Sequence, residues 1–220
     1  LGNHNFDKGE AYLRTTLIPL ANFPFLTANI INPDGSFPAE WRPWKVFQFP
    51  GLRLGLVGFS NTYIAELTFP GSLGDFEVTD ALEAINREAR QLKRTGVDVV
   101  VAMGHEGATA GTISSPTGPA VDIADGTTQV DVVIGDHTDF QALAFRPNGV
   151  LLTENKSKGI RFTRIQLVVN TVTRAVVYKT ANWHKPWDIG ITPDAYIKAE
   201  IDRLNAELIP IFSTVIGNSS

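Results

Sequence analysis

The chain has 220 residues, 43% hydrophobic and 19% charged, a balance that suits a folded domain with a sizeable core and excludes a disordered one. Its net charge of −4 and pI near 5.6 offer no basic surface for a nucleic acid duplex, and no run of about eighteen apolar residues is present to form a transmembrane segment. The absence of cysteine excludes disulfides and thiolate metal sites.

The chain opens "LGNHNFD" (1–7), a polar cluster that looks like a site and not like an amino terminus. Leu1 is no initiator and Met103 is the one methionine, so the cluster reads as the middle of something longer. "RLGLVGF" (53–59), "VDVVVAM" (97–103) and "VDVVIG" (130–135) are short β-branched runs, suited to strands covered on both faces. Between the first two lies "TDALEAINREARQLKRTG" (79–96), with Leu82, Ile85, Ala89 and Leu92 on one helical face. Asp80 and Glu83 can cap its start, Gly96 can end it, and Glu83 and Arg87 are spaced for an i,i+4 pair. This is a β-α-β unit.

The stretch 107–129 is rich in Gly, Ser, Thr and Pro and predicts a long loop. "GIRFTRIQLVVNTVTRAVVYKT" (159–180) alternates apolar and polar residues and predicts an antiparallel hairpin turning near Asn170. A final helix follows, with Thr192 as its cap, Pro193 in the first turn and Ile197, Ile201, Leu204 and Leu208 as a stripe. Pro210 should end or kink it. The class is mixed α/β.

Of four histidines, His105 in "GHEG" and His137 in "GDHTDF" each follow a predicted strand, at the carboxyl ends where open α/β sheets place ligands. His184 lacks such a setting and reads as an ordinary surface residue. Asp139 lies two beyond His137; in an extended segment the two would share a face and bind one metal or neighbouring metals, or Asp139 would cap a turn. By the same alternation Asp136 points away and reads as a turn residue.

"GNHNFD" (2–7), "GHEG" (104–107) and "GDHTDF" (135–140), in that order, resemble the later motifs of the calcineurin-like metallophosphoesterases, most closely the 5′-nucleotidase and UDP-sugar hydrolase branch. "FPFLTANI" (23–30) and 52–107 match its connecting segments, and "LNAELIPIFSTVIG" (204–217) is similar to the linker before that family's substrate-binding domain. The resemblance implies part of a four-layer αββα sandwich, with residues 1–190 as the C-terminal portion of a catalytic domain and 191–220 as a C-terminal linker helix. It implies hydrolysis of a small-molecule phosphate ester or nucleotide in a periplasmic, secreted or cell-surface setting.

Such hydrolysis needs charge neutralised on the phosphoryl oxygens and hydroxide produced at neutral pH, which two divalent ions about 3.5–4 Å apart supply. The resemblance implies two such ions (Mn, Zn, Co or Fe) in the intact protein. It assigns Asn3, His105 and His137 to one and Asp139 to the other; the family's Asp-x-His and Gly-Asp motifs, with the bridging carboxylate, precede "GNH" and are not in this sequence. In the family His4 would face the phosphoryl group, and Asp7, three residues on, is placed to accept its other ring N–H; Asp7 also suits an N-cap before "KGEAYL". The family commonly has His or Gln where Asp139 stands, so a carboxylate there adds negative charge. On this reading the 220-residue chain alone is expected to be inactive. Two alternatives stay open: a non-catalytic metal- or partner-binding fragment, and the same chemistry on cyclic nucleotides, nucleotide sugars or sulfur esters.

Overall fold

The computed structural model describes residues 1–217 as two compact units, Leu1–Lys185 and a second that begins at Pro186. The first unit is built on a six-stranded sheet. Its strands are β1 (Trp44–Phe49), β2 (Leu52–Ser60), β3 (Val99–His105), β4 (Val132–Gly135), β5 (Ala142–Phe145) and β6 (Leu151–Glu154), in the spatial order β5-β6-β4-β3-β2-β1. β2, β3, β4 and β6 run parallel, and β1 and β5 close the two edges antiparallel.

Side-chain alternation divides the sheet into two buried faces. Val57, Phe59, Val100, Ala102, Val133 and Leu152 join a core with helices α1 (Ala81–Arg94) and α2 (Pro119–Gly126). Leu54, Leu56, Val99, Val101, Val132 and Leu151 face the other way, onto the hairpin β7 (Phe162–Asn170) and β8 (Ala175–His184) through Ile165, Leu167 and Val176. A sheet buried on both faces needs apolar residues at both parities, hence its unbroken valine runs. Each Val or Leu so buried contributes roughly 1.5–3 kcal/mol relative to exposure. Helices, sheet and hairpin supply the α, β and second β layers of the expected sandwich.

The β-α-β unit forms as expected. Asp80 accepts from the Glu83 backbone N–H at 2.8 Å, Gly96 has φ of +83°, and Ile85, Ala89 and Leu92 are fully buried. Arg87 bonds buried Glu88 at 2.8 Å and the Ala28 carbonyl at 3.0 Å in place of the expected Glu83. The third strand is shifted two residues from its expected place, because pairing with β2 begins at Val99, so His105 ends the strand instead of following it.

The expected long loop is corrected. Residues 110–111 and 116–117 pair, and Pro119–Gly126 is helical with Ala120, Ile123 and Ala124 buried at helical spacing. Gly and Ser around this segment mask a helix that starts, as many do, with Pro in its first turn. In the second unit α3 (Ala195–Phe212) is capped by Asp194, whose carboxylate accepts the backbone N–H groups of Tyr196 and Ile197 at 3.0 Å, and not by Thr192. It also continues two residues past Pro210. Among the described residues no helix is long and apolar enough to cross a membrane.

Candidate metal centre

The opening cluster folds as a 3₁₀ turn over Asn3–Phe6. Phe6 is its anchor, fully buried with Leu13, Ile30, Trp41 and Ile64, so truncation to Ala should cost about 3–5 kcal/mol. Successive residues of a 3₁₀ turn point about 120° apart. Asn3 therefore turns inward, buried, while the side chain of His4 is 79% exposed.

The three motifs meet at the carboxyl ends of β3 and β4. Nε2 of His105 lies 2.9 Å from Oδ1 of Asn3 and 3.1 Å from Nδ1 of His137, and the two rings meet edge to face at 4.8 Å. On its other side Nδ1 of His105 lies 3.1 Å from Oδ2 of Asp136. Asp136, placed on the far face by strand alternation, is therefore part of the cluster: β4 ends at Gly135 and alternation stops with it. His4 stands apart with its own partner, Oδ2 of Asp7, at 3.0 Å from its Nδ1. Asp7 does not cap the following helix, whose N-cap is Lys8.

The extended segment expected to put His137 and Asp139 on one face is not found. His137 and Asp139 have φ of +88° and +56°, so the segment is a left-handed turn and not extended. Asp139 is exposed on that turn. Thr138 fixes the turn through the Ala108 carbonyl at 2.6 Å and Oε1 of Glu154 at 2.7 Å. Glu154, buried at the end of β6, also accepts the Ala108 backbone N–H at 2.8 Å. This buried carboxyl ties the loops after β3 and β4 together, and sequence reasoning missed it; a lone Glu closing an apolar strand was its one signal. His184, as expected, lies outside the cluster, stacked on Phe162 at 5.2 Å.

Two glycines of the motifs are required by close approach. A Cβ on Gly2 would lie 2.6 Å from the His105 ring, and one on Gly107 would lie 2.2 Å from Oγ1 of Thr138. The electrostatics are uneven. Burial, with repulsion from His105 and His4, lowers the His137 pKa against the opposing pull of Asp136. The bond to His105 holds Asp136 below the usual carboxylate range, against partial burial. Burial pushes Glu106 and Glu154 up.

The donor set fits a divalent ion. With Nδ1–H of His105 given to Asp136, its bare Nε2 faces an amide oxygen and a second imidazole nitrogen at 2.9 and 3.1 Å. Ligands about 2.1 Å from a metal and at right angles to each other lie about 3.0 Å apart. Among the described residues no three His, Cys, Asp or Glu side chains are placed to hold a metal ion between them; here the third donor is an amide oxygen.

No family model matches the chain. It is 34% identical over 143 residues to the snake venom 5′-nucleotidase of Crotalus adamanteus, covering 63% of this chain and 22% of that protein. Its fold superposes on a 5′-nucleotidase precursor from Thermus thermophilus with a TM-score of 0.82 at 19% identity, covering 99% of this chain and 44% of that one. The calcineurin-like phosphoesterase YfkN of Bacillus subtilis matches with a TM-score of 0.77 at 21% identity, over 97% of this chain and 71% of that one. The chain spans about a fifth of the venom relative's length. Sequence and fold agree on the 5′-nucleotidase branch of the metallophosphoesterases as what this chain resembles.

Proposed function

We propose that this chain is part of a metal-dependent phosphohydrolase acting on nucleotides outside the cytoplasm, with Asn3, His105 and His137 holding one divalent ion. The observation that carries this reading is the convergence of Oδ1 of Asn3, Nε2 of His105 and Nδ1 of His137 at the ends of parallel strands. The likeness to 5′-nucleotidases supports the substrate class.

When bound, divalent ions would supply charge neutralisation at the phosphoryl group and activation of water. This chain's residues do the rest. An amide oxygen and two neutral imidazoles leave the cation's charge undiminished, available to a phosphate anion. His4, exposed and paired with Asp7, is the group that meets the phosphoryl oxygens and gives a proton from Nε2 to the leaving oxygen, its Nδ1–H held by the carboxylate. Asp139 is assigned to a second ion, as a carboxylate on the same turn as His137. The helix Ala195–Phe212 serves as the linker toward a separate substrate-binding domain.

Phosphate release from AMP, ADP, UDP-glucose and a chromogenic ester by the longer protein carrying this sequence, supplied with Mn or Zn, tests the reading. Release from at least one nucleotide is expected; none from any of them contradicts it.

A further inference from the structure

We propose that Asp136 is a positioning residue: its carboxylate takes the Nδ1–H of His105, fixes that tautomer, and leaves the Nε2 lone pair aimed between Asn3 and His137. The role rests on geometry. Oδ2 of Asp136 lies 3.1 Å from Nδ1 of His105, on the side of the ring opposite the 2.9 Å approach of Asn3. Parallel pairing of β3 and β4 brings the two strand ends together, and the Asp136 backbone N–H, donating to the Glu106 carbonyl at 3.1 Å, ties its main chain to the residue after His105.

A neutral imidazole carries one N–H, and an ionised carboxylate only accepts. With the proton on Nε2, the Nδ1 lone pair would face a carboxylate oxygen at 3.1 Å, a repulsive contact. With the proton on Nδ1 that contact becomes a charge-assisted hydrogen bond, stronger than the neutral one that a proton on Nε2 would make to Oδ1 of Asn3 at 2.9 Å. Nε2 is then bare, and a carboxylate on the far nitrogen raises its basicity as a ligand. Asp136 touches neither substrate nor reacting atoms in this arrangement; it acts through His105.

The tautomer belongs to the chain itself, and its consequence for affinity rests on the proposed metal site. Imidazole nitrogen shifts of the metal-free 220-residue chain, read by long-range ¹⁵N–¹H correlation, separate the two. At about pH 8, where histidine is neutral, His105 should carry its proton on Nδ1. Asp136→Asn keeps an acceptor oxygen and should keep that tautomer. Asp136→Ala should move the proton toward Nε2, where Oδ1 of Asn3 accepts it. Side-chain exposure of 63% at Asp136 lets both variants fold.

Titration with Mn should then show affinity lowered roughly 10–100-fold in Asp136→Ala and less in Asp136→Asn. A parent protonated on Nε2, or an Asp136→Ala variant that keeps the Nδ1 proton, overturns the proposal. Equal Mn affinity in parent and Asp136→Ala overturns its consequence for the metal. A parent that takes up no Mn while its tautomers follow the expected pattern overturns the metal site and supports the role of Asp136.

Discussion

Oδ1 of Asn3 and Nε2 of His105 lie 2.9 Å apart although 102 positions separate them in the chain. Two elements hold this contact: a turn anchored by buried Phe6 and the last residue of a central strand. Because the contact needs the His105 ring against the Gly2 backbone, Gly2→Ala is a sensitive probe. Its Cβ would sit 2.6 Å from a ring fixed on both sides. The variant should keep its thermal transition and lose Mn affinity by about tenfold or more, the scale of disturbing a metal ligand's supports. Calorimetric titration beside a melting curve checks both halves.

His4 should behave differently from its neighbours. It is exposed, and its ring partner is Asp7 and not a member of the cluster around Asn3. In the longer protein, His4→Ala should lower turnover by roughly 10²–10⁴ with metal content unchanged. Metal analysis of the purified variant decides the role, since a loss of metal would make His4 a ligand.

Much of this site is legible in the sequence, for a physical reason. Parallel strands announce themselves as β-branched runs, and residues just past them fall at one edge of the sheet, so His105 and His137 could be placed together without a structure. What escaped was whatever depended on the backbone leaving regular geometry. Strand alternation sent Asp136 to the wrong face because β4 ends at Gly135, and it aligned Asp139 with His137 although both have positive φ. Glu154 escaped because its partners, Ala108 and Thr138, come from other loops. The helix 119–126 was hidden by small residues whose burial only the tertiary structure reveals.

Asp139 tests the assignment of a second ion. A carboxylate favours hard ions and an imidazole favours Zn, so Asp139→His in the longer protein should shift preference from Mn toward Zn. Competition titrations with both metals measure the ratio, and an unchanged ratio removes Asp139 from the site.

Glu154 makes a prediction about pH. Burial raises its pKa in the folded protein, so the neutral acid is the form the fold prefers. A raised folded pKa gives stability that is full below the unfolded value near 4.5 and is lost as pH rises through the folded value. Protonated, Glu154 can donate to Thr138 while Thr138 donates to the Ala108 carbonyl, which satisfies both short contacts with one proton each. Glu154→Gln should therefore flatten the fall of stability with rising pH, leaving the part carried by Glu106, whose pKa is raised for the same reason. Urea denaturation from about pH 4 to 8 on both proteins measures the two slopes. Parallel slopes would show that Glu154 ionises as it does in the unfolded chain.

Asn3, His105 and His137 are proposed to form one binding site for a divalent ion. Calorimetric titration of Mn into the 220-residue chain, run beside His105→Ala, addresses it most directly. One ion per parent chain and none in the variant at the same concentrations is the expected result. No uptake by the parent, or equal uptake by His105→Ala, would contradict it.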